Sequence, residues 1–539
     1  MPVLLTTSRQ LPSPDSYNAW CAIGSVTPDL PDQKKIIDLA EKLEHAFDAI
    51  RDEWWNIAHR LSVKDISAEL GHAASCNSSV SDFGTMLAWT YLFKGWDKAD
   101  ENVLMVCDDP WLFRHFRSLG GRTLIAAPGR WFAEQQFTLR GIAARTRYAL
   151  QALSARIYLA RDAENCPRDS PAIVSYGHPA STADGKDAYF GDLLSWSPKL
   201  SRLLHTDCNV ERAAALGLGG RTFSLQAWGS IWFTFTLPFQ MWHMTLQIEG
   251  EPMWWLMHRA AVLENGTGQA AAIAWQNHCQ ERWLKIQRPS IVLWPWENHG
   301  WEQALVRSAK PLGVGTAGYQ HTVVGRRHWV HAVASNRDGI EGLPDRIICN
   351  GPVWENALSE YGIPRDRMEV GGALRFSSPK LLTRDKAGPI FVALPFTHSI
   401  AHQLVAAIEI VAGKNQFRFI VRDHPMNPYP LPVSPGIERA DRSLAEAGGI
   451  AAVLYAATTV GLEAIIGGLP VVRFVPEGNV SVDVIPESLG VPVAVARNLS
   501  DRLSEVIGVE IDVPSAGEFF RQPNKPYWED LISTRRSNF

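Results

Sequence analysis

A chain of 539 residues is too long for one ordinary hydrophobic core, and 46% hydrophobic against 20% charged residues is globular composition without extended disorder. Lysine plus arginine (52) nearly balances aspartate plus glutamate (56), leaving a net charge of −4, so no overall basic field points to nucleic acid. Seven scattered cysteines without a C-x-x-C pair argue against a zinc site or disulfide framework, and MPVLLTTSRQLPSPDSYNAW lacks the basic and long apolar regions of a signal peptide; a reducing, cytoplasmic setting is expected.

Residues 32–62 space apolar positions by three and four with charges between, which predicts an amphipathic helix within an N-terminal helical extension over 1–95. ENVLMVCDDPWLFRHFRSLGGRTLIAA, from Glu101, then reads as strand, turn, helix and strand, so the first Rossmann-like domain is expected over 96–378. Asp108 and Asp109 follow that first strand just before Pro110, and a structural or acceptor-side role is expected of them. About 130–285 reads as a helical insertion, unusually rich in tryptophan: Trp228, Trp232, Trp242, Trp254, Trp255, Trp275 and Trp283. These rings fill a helical core or, where exposed, face sugar rings or the lipid headgroup layer. Thr222 to Ile248 is the nearest approach to a membrane span, free of Asp, Glu, Lys and Arg but broken by polar residues and Pro238.

Strand grammar resumes at SIVLWPWENHGWEQALVRSAK, GVGTAGYQHTVV and PDRIICNGPVWENALSEYGIPRDRMEVGGALRF, and a Gly-, Ser- and Pro-rich stretch at 371–389 predicts an interdomain linker. PIFVALPF through LPVVRFVP is a βαβ alternation, predicting a second Rossmann-like domain over 385–514. The segment 515–539, aromatic and then basic, is expected to cross back to the first domain or to fray. The fold class read from this order is α/β, with two Rossmann-like domains facing a cleft and a helical Trp-rich insertion in the N-terminal half.

In AAVLYAATTVGLEAIIGGLPVVRFV an apolar strand ends at Tyr455, and Thr458 and Thr459 stand where a helix begins. Hydroxyls and free N–H groups at a helix start suit phosphate, and Glu463, one turn inward on the same face, would reach ribose hydroxyls. The alternative is that both threonines only cap the helix. In FRFIVRDHPMNPYP a strand runs directly into Arg422, Asp423, His424 and Pro425, at the carboxyl edge where open α/β sheets bind ligands. His424-Pro425 followed by Thr458-Thr459 resembles the His-Pro and Ser/Thr motifs of bacterial GT-B sialyltransferases and capsule Kdo transferases, and TTVGLEAIIGGLPVV is similar to the wider GT-B donor helix. The resemblance implies a CMP-sugar donor, with His424 contacting or protonating the leaving phosphate, Thr458 and Thr459 binding it, and Glu463 on the ribose. It requires no metal and no further cofactor. His-Pro also occurs in transferases of CDP-glycerol.

At the acceptor end, PWENHGWEQALVRSAKPLGVGTAGYQHT resembles a block of bacterial surface-carbohydrate biosynthesis proteins, as does GGALRF at 371–376. Glu297, Asn298 and His299 lie just beyond one strand and Gln320 and His321 end the next, so all are expected in the cleft. Glu297 is the preferred catalytic carboxylate, as base, nucleophile or ion-pair partner, with fixing of the loop as its alternative; Glu302, a turn into the helix, is second. The expected function is transfer of an acidic Kdo- or nonulosonate-type sugar from CMP to a glycan, lipid-linked or protein acceptor, with peripheral contact to the membrane's inner face. Alternatives are a transferase using a UDP-, GDP- or dTDP-sugar or CDP-glycerol, a nucleotide-sugar epimerase, and a non-catalytic sugar-binding assembly protein.

Overall fold

The computed structural model describes residues 3–533 except 25, 27, 124, 245–251, 376–380, 415 and 426. Among the described residues the strands form three sheets, and neighbouring strands within each sheet run parallel. The first sheet holds β1 (Leu4–Thr6), β2 (Ala19–Ala22), β3 (Val103–Val106) and β4 (Arg122–Thr123) in the order β2-β3-β1-β4.

The second holds β5 (Ala172–Ser175), β6 (Ser201–Leu204), β7 (Thr222–Ser224), β8 (Ile291–Pro295), β9 (Gly315–Gln320), β10 (Arg346–Cys349) and β11 (Met368–Val370). Its order is β7-β6-β5-β8-β9-β10-β11. The third holds β12 (Ile390–Ala393), β13 (Phe419–Arg422), β14 (Ile437–Arg439), β15 (Ala452–Tyr455), β16 (Val471–Phe474) and β17 (Val493–Ala494), ordered β14-β13-β12-β15-β16-β17. Both larger sheets therefore start at the centre, grow to one side, and reverse direction between their first and fourth strands, which is the Rossmann winding. Central strands such as IVLWP and AVLY are buried throughout because helices cover both faces, so they read as unbroken apolar runs.

Three expectations change. The strand after Glu101 is β3, and it pairs with β1 and β2 rather than with the later strands: Leu104 lies opposite Leu4 and Val103 opposite Ala19. The N-terminal 95 residues thus supply strands as well as helices; β1 and β2 have three and four residues, too short for a period of two to show against turn-rich flanks. The stretch 130–285 does carry the helices Trp131–Tyr158, Trp254–Asn265 and Gln269–Gln287, but β5, β6 and β7 between them belong to the second sheet, where Ala172 pairs with Val292. β6 contains Arg202, a charge that hides a strand in the sequence; it is buried here because Asp187 sits 3.3 Å away and Thr222 Oγ1 accepts its Nε–H at 3.0 Å. Finally, 32–62 is two helices, Leu39–Ala49 and Arg51–Lys64, broken at Ile50.

Among the described residues no helix is long and apolar enough to cross a membrane. Thr222 onward runs through β7, the 3-10 helix Leu225–Trp228 and the short helix Ile231–Thr234 instead, and 245–248 lie outside the described residues. Most rings of the Trp-rich stretch fill the core, Trp228, Trp242, Trp275 and Trp283 among them, whereas Trp232 is exposed. At the C-terminus the helix Lys525–Ser533 returns to the second sheet. Trp528 is fully buried there with Ile173, Leu293 and Tyr319, and its Nε1 donates to the Gly371 carbonyl at 2.9 Å.

One buried ionic group ties the three sheets together. Glu44, on the helix Leu39–Ala49, accepts from Arg327 Nη1 at 2.8 Å, from the loop after β9, and from Arg473 Nη1 and Nη2 at 2.8 and 2.6 Å, on β16. Burial opposes the charge on Glu44, but the two guanidiniums outweigh it and hold its carboxyl below the usual range.

Candidate active site at two sheet edges

In the second sheet the reversal lies between β5 and β8, and the carboxyl ends of both open there. Beyond β8 the chain runs Trp296-Glu297-Asn298-His299 into the helix Gly300–Ala309. Asn298 takes a left-handed backbone (φ 63°), which asparagine tolerates better than most residues, and its side-chain amide donates to the Val330 carbonyl at 2.7 Å and to Asn336 Oδ1 at 3.0 Å. Glu302, in the helix's first turn, folds back: Oε2 accepts from Trp294 Nε1 at 2.9 Å, Glu297 N at 3.0 Å and Asn298 N at 2.9 Å. Burial, partly countered by His299 and these donors, pushes its carboxyl up to about 7. Glu302 is thus buried and committed to holding the loop, which sets it apart from Glu297.

Glu297 faces outward, with 36% of its side chain exposed, and one oxygen lies 2.8 Å from His299 Nε2 and the other 3.6 Å from His321 Nε2. Burial works against its ionisation, yet the His299 hydrogen bond and the facing imidazoles His299, His321 and His331 prevail and hold it well below the ordinary carboxylate range. The same contact raises His299 despite burial, while desolvation pushes His321 down to about 4. Glu297 and His299 therefore each favour the other's charged form, beside a His321 that desolvation keeps neutral. His321 follows β9, whose last residue, Gln320, accepts from Asn350 N at 2.9 Å through its side-chain oxygen and donates to the Thr322 carbonyl; Gln320 ties neighbouring segments together rather than facing the cleft.

Four residues beyond the expected set complete this edge. Tyr176 and His178 follow β5, and the ring of Tyr189 meets His321 edge-on at 5.1 Å. The Tyr189 loop is fixed by Asp187, which accepts from Tyr189 N at 2.9 Å and from Ser175 Oγ at 3.0 Å. Arg375 lies over the Tyr189 ring at 5.4 Å. PAIVSYGHP has the same form as FRFIVRDHP, an apolar strand ending in His-Pro, so Tyr176 and His178 had a signal, and Arg375 stands inside GGALRF, whose Phe376 lies outside the described residues. Tyr189 sits on a loop with no strand or helix periodicity to mark it.

In the third sheet the reversal lies between β12 and β15. Thr458 and Thr459 follow β15 after Ala457, itself left-handed at φ 49°, and lead into the helix Val460–Ile466. Thr459 makes no side-chain cap bond, and the Thr458 hydroxyl accepts from Val460 N only at 3.5 Å. Both threonines are half-buried. His424 follows the neighbouring β13, edge-on to Phe396 at 5.4 Å, and burial lowers its pKa. Arg422 Nη1 donates to the Ala440 carbonyl at 3.3 Å, Pro425 is exposed, and Asp423 pairs with Arg439. Glu463 is half-buried; desolvation raises its carboxyl and Arg375 opposes the rise. Arg375 thus acts electrostatically on Glu463 of the third sheet and on Tyr189 and His321 of the second. Of the residues read at this end, Arg422 is engaged with backbone, whereas His424, Thr458, Thr459 and Glu463 lie beyond the carboxyl ends of the strands. Asp109 caps the helix Pro110–Ser118 by accepting from Trp111 N and Leu112 N, and it also binds Arg259, away from both edges.

Two Rossmann-type sheets follow one another, their carboxyl edges are linked through Arg375, and the last helix returns to the first of the pair. The architecture is GT-B. No family model and no curated protein matches the chain. Solved structures similar to it include UDP-N-acetylglucosamine 2-epimerase from Rickettsia bellii, at 12% identity over 68% of this chain and 94% of that one, with a TM-score of 0.38. The lipopolysaccharide outer core galactosyltransferase WaaB, in its apo form, matches at 11% identity over 67% of this chain and 98% of its own, with a TM-score of 0.34. Anabaena Alr3699/HepE in complex with UDP-glucose matches at 10% identity over 67% and 98%, with a TM-score of 0.36.

Proposed function

We propose that this chain is a glycosyltransferase that moves a sugar from a nucleotide-linked donor, held at the β12/β15 edge, to an acceptor hydroxyl presented at the β5/β8 edge. The observation that carries the proposal is the pairing of an outward-facing, ionised Glu297 on one sheet edge with the Thr458 and Thr459 hydroxyls at the start of a helix and the Glu463 carboxyl on the other. In the transfer the acceptor oxygen forms a bond to the anomeric carbon as the bond from that carbon to the donor phosphate breaks. Glu297 takes the acceptor proton; its constant negative charge also suits the oxocarbenium-like centre. His299 limits its basicity, so proton transfer follows bond formation rather than preceding it. The departing phosphate meets His424 and the two threonine hydroxyls, and Glu463 holds the ribose.

The His424-Pro425 and Thr458-Thr459 pattern supports a CMP-linked acidic sugar of the Kdo or nonulosonate kind. A diphosphate donor, such as a UDP-sugar, is the second reading, which Arg375 supports as a cation that acts on groups of both edges. The acceptor is a surface glycan or a lipid-linked precursor, reached from the inner face of the membrane.

Titration calorimetry of the intact chain with CMP, CDP, UDP and GDP tests this, repeated on His424→Ala and on Thr458→Ala/Thr459→Ala. Preferential CMP binding, weakened in both variants, supports the CMP-sugar donor. Preference for a diphosphate nucleotide that also weakens in Arg375→Ala moves the donor to the second reading. Folded protein that binds no nucleotide overturns the transferase proposal in favour of a non-catalytic sugar-binding protein.

A further inference from the structure

The helix Trp131–Tyr158 is apolar on two faces. Its inner face buries Gly141, Arg145, Ala149, Ala152 and Ala155. On the opposite side Phe132, Leu139, Leu150 and Ile157 line up within about 20° of one another at 100° per residue, and they are 79%, 67%, 65% and 59% exposed. Two buried contacts fix a second apolar element beside this stripe: Arg145 Nε donates to the Pro238 carbonyl at 2.9 Å and Arg156 Nε to the Gly229 carbonyl at 2.8 Å. The turn so held presents Trp232, Phe235 and Phe239 to solvent, Trp232 at 81% and Phe239 at 74%.

The charges bordering the stripe that are not engaged with the aromatic turn lie on one flank. Arg140 and Arg147 are exposed along the flank of the stripe away from the aromatic turn. The helix has a single carboxylate, Glu134, and it is spent inward: it accepts from Arg130 Nη1 and Trp111 Nε1, both at 3.3 Å, and lies 3.0 Å from His258 Nε2. The outer face of this helix is therefore apolar, edged with guanidinium, and without a negative charge.

We propose that this surface seats the protein on an anionic lipid bilayer. The aliphatic stripe and the aromatic turn enter the boundary between headgroups and acyl chains, and Arg140 and Arg147 meet lipid phosphates. A second copy of the same helix fits worse, because it would set these arginines against each other with no carboxylate to pair them. The inference rests on the peripheral-membrane part of the proposed function and deepens it by naming the face and the charge of the lipid.

The test is sedimentation of the full chain with vesicles of phosphatidylcholine alone or mixed with phosphatidylglycerol. The wild-type chain is expected to pellet with the anionic vesicles in a salt-sensitive manner and to stay in solution with the neutral ones. Arg140→Gln/Arg147→Gln should weaken the partition roughly thirtyfold, and Phe132→Ser/Trp232→Ser/Phe239→Ser at least about tenfold, with nucleotide binding unchanged in both. Wild-type binding that neither variant reduces overturns the assignment of this face while leaving membrane contact standing. A wild-type chain that binds neither vesicle removes membrane contact itself, and with it this proposal. Self-association in sedimentation equilibrium that the triple variant abolishes, without any lipid, makes the occupant a second copy and overturns the lipid assignment.

Discussion

Glu302 separates a positioning role from a chemical one, because glutamine and alanine at this site have different consequences. Three donors, Trp294 Nε1, Glu297 N and Asn298 N, converge on Oε2, whereas Oε1 receives only Glu297 N, at 3.3 Å. A glutamine with its carbonyl oxygen in the Oε2 position keeps all three but turns its amide NH2 toward Glu297 N, so Glu302→Gln loses the charge assistance and the 3.3 Å contact, about 1–2 kcal/mol. Glu302→Ala leaves three buried donors unsatisfied at about 1–3 kcal/mol each, enough to release the loop carrying Glu297 and His299. Hydrogen exchange at 297–298 should be near wild type in the glutamine variant and faster by two or more orders of magnitude in the alanine variant. Sugar transfer from whichever donor the titrations select should follow the same order. There is a pH signature as well. A carboxyl raised to about 7 binds a proton in the folded state that the unfolded chain has released above its ordinary value, so folded stability contributed by this group falls as pH rises from about 4.5 to 7. Glu302→Gln should flatten that slope. Abolished transfer in Glu302→Gln with unchanged exchange at 297–298 would refute the reasoning and make Glu302 the group that moves the proton.

Glu297→Gln should lower the titration midpoint of His299, because burial remains when its bonded carboxylate is gone and only Glu302 still favours the cation; histidine-selective NMR reads this directly. In the wild type the same pair contributes stability that is full below the ordinary histidine pKa and is lost as pH rises through the elevated folded value of His299. Glu44→Ala removes the carboxylate shared by two buried guanidiniums, leaving Arg327 to Asp48 and Arg473 to Asp483, and should cost about 3 kcal/mol by denaturant unfolding. Trp528→Ala should cost about 3–5 kcal/mol and expose 516–533 to proteolysis, since its ring fills the seat of the returning helix among Ile173, Leu293 and Tyr319.

The sheets were legible where strands are long and apolar on both faces. IVLWP, IFVA and AVLY stand out as apolar runs, and the residues beyond them, Glu297-Asn298-His299 and Thr458-Thr459, can be placed at the carboxyl edges of their sheets from winding alone. β1, β2 and β6 were not legible: three or four residues give no usable period, and a charged residue inside β6 reads as surface until Asp187 is seen beside it. The different fates of Glu297 and Glu302 depend on a backbone reversal at Asn298 that turns one carboxylate outward and the other in, and no spacing rule encodes that reversal. Gln320 shows the same limit, since a strand-end amide is as apt to tie neighbouring strands as to face a cleft.

Glu44 bears on how such a site opens. In the proposed transfer, donor and acceptor groups are carried on different sheets, which implies relative motion of the two as ligands enter. Yet a carboxylate from the first, smaller sheet's helices grips Arg327 beside the second sheet and Arg473 within the third, all three nearly inaccessible to water. Gly325 lies against the Asp483 backbone close by, where an added Cβ would stand 1.9 Å from a carbonyl oxygen, so the chains are in contact at this point as well. Breaking the ionic group would cost about 3–5 kcal/mol, too much for every turnover, so motion about it is cheaper than motion through it.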